Sequence, residues 1–300
     1  MPNQNTVPEL KTVIDYIRWG ASRFVEAKLS FGHGMSSPLD EAVYLVLRTL
    51  HLPVDTPDVY WRSAVTTSEA LTLQAVIQRR VDEKIPAAYI TKEGWFAGLQ
   101  FFVDERVLVP RSPIAELVEN QFAPWVDPDD VEDILDLCTG SGCIGIACAY
   151  AFPNAQVDLS DISDEALEVA KINIEGHDAS QRVRAVKSNL FDKLEGRVYD
   201  IIVSNPPYVD AEDMAALSQE FHHEPELGLS SGTQGLDLTK TILAEAASHL
   251  SDMGILVLEV GNSQYALAEA FPEVPFHWVD FERGGDGVFM LTKQQLEMFF

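Results

Sequence analysis

Basic residues are scarce in this sequence: 21 lysines and arginines stand against 47 aspartates and glutamates, a formal net charge of −26 at pH 7. Repulsion on that scale argues against a protein that wraps nucleic acid, which needs phosphates neutralised by Lys and Arg, and no direct DNA binding is expected. It leaves open a basic protein partner or the solvated surface of a protein adapted to salt. Long apolar runs are missing as well. The longest, Cys143 to Phe152, is about half of the ~20 residues that a membrane helix needs. The first residues also lack a basic region followed by an apolar block, so a cytoplasmic protein without membrane contact is expected. Cysteine is rare. Cys138, Cys143 and Cys148 lie five apart in one segment and match neither a CxxC metal pattern nor a disulfide framework. They read as buried small residues, and no metal is expected. Neither an internal repeat nor a low-complexity tract is present.

What is there is a chain of 300 residues with 46% apolar content, enough for two folded domains. Val7, Leu10, Val13, Ile14, Ile17, Ala21, Phe24 and Val25 recur at three-and-four spacing and predict a helix over 7–29. Ser37-Pro38 offers a cap and a first-turn proline for a second helix, and Thr67-Ser68 precedes a third that Pro86 ends. Residues 1–92 therefore read as a small helical domain. The stretch 95–113, WFAGLQFFVDERVLVPRSP, places aromatic and β-branched residues around Gly98 and the turn-like Asp104-Glu105, and predicts a β-hairpin connector over 93–111. From about 131, strand-like runs (134–138, 156–159, 183–186, 200–204, 255–260, 276–281, 287–291) alternate with helix-like ones. That alternation predicts an α/β domain over 112–300 with a largely parallel sheet.

Chemistry is written first at Asp136-Leu137-Cys138-Thr139-Gly140-Ser141-Gly142, a strand end, a small-residue loop and a helix start. Glycines there let a ligand approach the backbone, and the helix start offers free N–H groups. The next strand ends at Asp161, where an acid can accept hydrogen bonds from two ribose hydroxyls. The glycines do not follow the GxGxxG dinucleotide pattern, and Asp136 suits a ligand bearing an ammonium group better than a pyrophosphate.

Asp136, Gly140 and Gly142 match the D/E-x-x-x-G-x-G loop, and the segment resembles the class I S-adenosylmethionine-dependent methyltransferases. The resemblance implies a Rossmann-like sheet of seven strands, the last antiparallel. It also implies a cofactor site in which Asp136, Cys138, Thr139, Gly140 and Gly142 hold the methionine moiety, Asp161 the ribose, and Asn189-Leu190-Phe191 flank the adenine.

A second motif, Asn205-Pro206-Pro207-Tyr208, follows the apolar run Ile201-Ile202-Val203. Two successive prolines stiffen the tetrapeptide before any tertiary contact forms. It resembles the (N/D/S)PP(Y/F/W) motif of methyltransferases acting on planar nitrogens, exocyclic amines of DNA bases or the side-chain amide of glutamine. An sp² nitrogen is a poor nucleophile, so its site must orient it. The Asn205 side-chain carbonyl and the Pro206 backbone carbonyl each suit one N–H of a target NH₂, and Tyr208 suits stacking on the planar group. The protonated amide product is acidic enough to lose its proton without a dedicated base.

The flanking sequence resembles the protein glutamine N5-methyltransferases over nearly the full length: 107–111 (Val-Leu-Val-Pro-Arg), the hairpin, the helical domain, and 224–229 (Glu-Pro-Glu-Leu-Gly-Leu) with Gly232 and Gly235. Pro110 and Arg111 read either as hairpin anchors or as part of the substrate cleft. The release-factor branch carries PRPETE after the hairpin, whereas here Ser112-Pro113-Ile114-Ala115-Glu116 follows Pro110-Arg111. Residues 31–34, 40–44, 222–225 and 284–289 look like the sister branch, which methylates a glutamine of large-subunit ribosomal protein three, a strongly basic protein. Release-factor methylation, adenine-N6 methylation of DNA and a catalytically silent ribosome-assembly factor remain as alternatives. His222-His223 lacks the helical i, i+4 spacing of a metal pair.

Overall fold

A computed structural model describes residues 7, 9–232 and 235–300, with the backbone alone for 211 and 212. The first six residues and Pro8, within the expected helical domain, lie outside the described residues. The chain divides into two compact units. One runs to Glu93 and takes in Ser218–His223; the other comprises Gly94–Leu217 and Glu224–Phe300.

The first unit contains α1 (Val13–Glu26), α2 (Pro38–Thr49), α3 (Thr67–Glu83) and α4 (Ala87–Thr91). α1 starts later than its apolar spacing implies. The Asp15 carboxylate accepts the Thr12 backbone N–H at 2.9 Å and the Thr12 hydroxyl at 2.7 Å, a capping box that fixes the first turn and leaves Val7 and Leu10 ahead of it. Thr66 and Glu69 cap α3 in the same way, and Lys84 in left-handed geometry ends it before Pro86. Tyr16, Ile17, Phe24, Leu45, Leu73 and Ile77 form the core. Within it lies the fully buried Arg80, whose Nε donates to Glu41 at 2.6 Å and whose Nη2 donates to the Ser30 carbonyl at 3.1 Å. Its Nη1 stands 3.6 Å from Glu220, a residue from the 218–223 segment that also accepts the Ser30 N–H at 2.9 Å.

The second unit takes in the hairpin from Gly94 onward. β1 (Glu93–Phe96) and β2 (Leu99–Phe102) turn on Ala97-Gly98, both at positive φ as a two-residue hairpin requires. Asp104-Glu105, expected as part of the hairpin, lies beyond it. Asp104 instead takes two hydrogen bonds of 2.8 Å from the Arg106 guanidinium. After α5 (Ile114–Glu119) come β3 (Asp133–Leu137), α6 (Cys143–Ala151), β4 (Gln156–Asp161), α7 (Asp164–Gly176), β5 (Val183–Lys187) and β6 (Tyr199–Ser204). The chain continues through α8 (Ala211–Ala216), α9 (Asp237–Glu245), β7 (Leu250–Glu259), α10 (Gln264–Ala270), β8 (His277–Trp278), β9 (Val288–Thr292) and α11 (Lys293–Phe299).

The seven strands run in the order β5-β4-β3-β6-β7-β9-β8, with β9 antiparallel to both neighbours. Successive residues alternate between two cores: Ile134, Ile201 and Val203 face one, Leu135, Leu137 and Ile202 the other, so helices cover both sides. The first connections from β3 go toward β4 and the later ones toward β6, so the order reverses at β3. A crevice opens there at the carboxyl ends of the strands. Leu137 pairs with Ser160 on one side and Ser204 on the other, which brings three strand ends level. No helix among the described residues is long and apolar enough to cross a membrane.

Candidate active site

The glycine loop fills the turn from β3 into α6. Cys138 takes a positive φ of 61°, and Gly140 and Gly142 follow at 55° and 82°. A methyl group at Gly140 would meet nothing within 4 Å, so the backbone there borders open space, whereas one at Gly145 would lie 2.1 Å from Leu159. Gly145 is thus the packing glycine and Gly140 the one that faces open space. Asp136 is fully buried. Its Oδ2 accepts the Thr139 hydroxyl at 2.5 Å and the Gly145 N–H at 2.9 Å, while its Oδ1 has no hydrogen-bond partner among the described residues. Burial pushes its pKa from 3.8 to about 7 against the pull of those two hydrogen bonds. The acid expected to face an ammonium group also holds the loop in shape.

Asp161, at the tip of β4, accepts the Gly140 N–H at 2.9 Å and the Ser163 N–H at 2.9 Å, so it ties the glycine loop to the next strand. Burial raises its pKa, and the backbone hydrogen bonds partly offset this. Ser188, after β5, donates its N–H to the Asp161 carbonyl at 3.0 Å. The following residues separate: Asn189 is exposed, while Leu190 and Phe191 turn into the core, with Phe191 stacked on His249 at 4.6 Å. Cys143 is buried and its thiol is pushed up to about 12, and burial raises Cys138 as well, so both stay protonated.

The Asn205–Tyr208 tetrapeptide leaves β6 beside this loop. Asn205 is half-buried, and its side chain makes no hydrogen bond among the described residues. Pro206 is buried and Pro207 half-buried. Tyr208 is held on three sides. Its hydroxyl donates to Glu259 at 3.0 Å, its carbonyl accepts the Ser263 hydroxyl at 2.9 Å, and its ring lies where a side chain at Gly261 would come within 2.6 Å. Arg111 forks onto the buried Glu224 through Nη1 at 2.5 Å and Nη2 at 2.8 Å, and Pro110 packs on Gly94 in the hairpin. Both residues therefore have anchoring contacts of their own. His223 Nε2 lies 2.8 Å from the Glu83 carbonyl.

The model of the Methyltransferase small domain family matches residues 120–274. Over 98% of the chain and 94% of the relative, the sequence is 50% identical to the ribosomal protein uL3 glutamine methyltransferase of Francisella tularensis subsp. tularensis. It is also 50% identical to the protein of that name from Neisseria gonorrhoeae, over 96% of each. The chain belongs to the uL3 glutamine methyltransferase family. Among solved structures, the hMettl16 catalytic domain in complex with MAT2A 3′UTR hairpin 6 superimposes with a TM-score of 0.52 at 15% identity, covering 92% of this chain and 91% of that one. Together with the strand order, this likeness establishes the class I methyltransferase fold.

Glu259 and Ser263, which hold Tyr208, carry little signal in the sequence of this uL3 glutamine methyltransferase relative. The one at Glu259 is a carboxylate closing the apolar run 255–258.

Proposed function

We propose that this methyltransferase moves a methyl group from S-adenosylmethionine to the side-chain amide nitrogen of a glutamine in large-subunit ribosomal protein uL3, in the cytoplasm. The observation that carries the reading is the half-buried Asn205 amide, without a hydrogen-bond partner among the described residues, in a rigid tetrapeptide at the switch point of the sheet. The names of the relatives supply the acceptor.

The residues at the crevice suit the cofactor. Open space over Gly140 and the Oδ1 of Asp136, unpartnered among the described residues, offer room against the loop backbone and one spare acceptor. Asp136, Cys138, Thr139, Gly140 and Gly142 would hold the methionine part, Asp161 the ribose, and Asn189, Leu190 and Asn205 would line the rest. When bound, the sulfonium supplies an electrophilic methyl carbon.

The chain's own part is positioning. The Asn205 carbonyl oxygen and the Pro206 carbonyl accept the two N–H bonds of the glutamine amide. They fix its plane and stabilise the positive charge that grows on nitrogen as the lone pair is used. Tyr208 and Pro207 wall the amide in. No metal takes part in this scheme, and the protonated product amide releases its proton to water.

The test offers labelled S-adenosylmethionine with purified uL3, class I release factors and DNA side by side, followed by analysis for N5-methylglutamine. Label on uL3 alone is expected. Label on the release factors would overturn the acceptor, and no label on any acceptor would turn the reading toward a silent assembly factor.

A further inference from the structure

Glu259 closes β7, the strand next to β6, and is 5% exposed. The preceding residues Ile255 to Leu258 are wholly apolar and buried, as a strand covered by helices on both faces requires. A carboxylate at this depth carries a desolvation cost, which burial shows as a raised pKa. The Arg111 charge acts on it through space and offsets part of that cost. The two Glu259 oxygens take one hydroxyl each: Oε1 from Tyr208 at 3.0 Å and Oε2 from Ser112 at 2.5 Å. Ser112 in turn accepts the Ile114 N–H at 3.1 Å, so the far end of the relay is tied to the first turn of α5.

The slot around Tyr208 is built from the same side. Gly261 at φ 47° leaves room for the ring, Gly235 at φ 70° leaves room for the Tyr208 carbonyl at 2.1 Å from where a methyl would stand, and Ser263 donates to that carbonyl. Each of these would be idle if Tyr208 were a loose lid over the substrate. They fix its ring plane.

We propose that Glu259 is a positioning residue for methyl transfer, one that sets the Tyr208 ring through its hydroxyl and is itself oriented by Ser112. It touches neither acceptor nor cofactor. Its effect reaches the glutamine amide through the aromatic wall. The inference rests on the glutamine-methyltransfer reading for its kinetic arm. It also gives a physical meaning to the serine at 112, where the sequence departs from the release-factor pattern: the residue after Arg111 serves as the second hydroxyl on the Glu259 carboxylate.

The experiment is a double-mutant cycle on Tyr208→Phe and Glu259→Leu, with kcat and KM measured on uL3 and cofactor affinity measured by calorimetry. Misplacing a wall of the site by about 1 Å lowers turnover on the order of a hundredfold, so each single variant is expected to lose tens- to a hundredfold in kcat with cofactor affinity unchanged. The double variant is expected to match the singles. Effects that multiply would overturn the proposal, because Glu259 would then act independently of Tyr208. Glu259→Gln keeps an acceptor for the Tyr208 hydroxyl and is expected to retain most turnover, which guards against an unfolded Glu259→Leu. A second readout does not need activity. The Tyr208 ring resonances, assigned by their loss in Tyr208→Phe, are expected to shift in Glu259→Leu and to stay in place in Glu259→Gln. Resonances unmoved by Glu259→Leu in a folded protein would overturn the proposal even if wild-type enzyme labels no acceptor, an outcome that would count against the function alone.

Discussion

Asp136 combines complete burial with a half-satisfied carboxylate, and its pKa of about 7 has a measurable consequence. In the unfolded chain the group ionises near its ordinary 3.8, whereas in the folded chain it keeps its proton to about 7. Between those values the folded state binds more protons than the unfolded one, so this group's contribution to stability falls as pH rises through the window and is flat on either side. Asp136→Asn keeps an acceptor for Thr139 and Gly145 and has no proton to lose. Thermal melts at pH 5 and pH 8 are expected to lie closer together in the variant than in the wild type, and an unchanged gap would show that Asp136 titrates normally. The residue types of this site were legible from the sequence because glycines and a strand-end acid announce themselves locally. The Glu259–Tyr208 contact was not, since it joins positions 51 apart.

At the scale of elements, the pairing of Arg111 with Glu224 joins the exit of the hairpin to the loop that follows the Asn205–Tyr208 motif. Glu224 also accepts the Val109 N–H at 3.0 Å, and its side chain is fully buried. Removing one partner leaves a buried charge uncompensated, so Arg111→Leu is expected to lower stability by about 3 kcal/mol in urea unfolding. Arg111→Lys is expected to recover only part, because an ammonium cannot fork onto both oxygens. A loss below about 1 kcal/mol would mean that water replaces the guanidinium there. The alternation of strands and helices was readable because buried strands are continuous apolar runs bounded by turn residues. Short elements were not. α4 and α5 are five and six residues long, too brief for a helical period to show. β7 begins at Leu250 rather than 255 because α9 stops at Glu245 and a tight turn of Ala246–His249 feeds the strand early.

For the whole molecule, a net charge of −26 acts at a distance that no single contact covers. With a basic acceptor, association is steered by the summed field and weakens as salt shortens its range to roughly 8 Å at 0.15 M. Turnover on uL3 is expected to show a KM that rises steeply between low and physiological ionic strength while kcat changes little. A salt-independent KM would separate the charge from acceptor recognition. Composition made the sign of this field legible, but not which residues face the acceptor, because that depends on the folded surface.

The six residues Ser218–His223 also bear on how the protein is made. Glu220 reaches Ser30 across 190 positions of chain and supplies the second carboxylate beside the buried Arg80. A nascent polypeptide released from the ribosome before Ser218 would carry all four amino-terminal helices with that guanidinium held by Glu41 and the Ser30 carbonyl but without Glu220. The amino-terminal unit is thus completed late in synthesis, after β6 and Asn205 have already been translated. Truncated products that stop earlier would carry a weakened first unit and would be open to proteolysis before they could occupy an acceptor without modifying it.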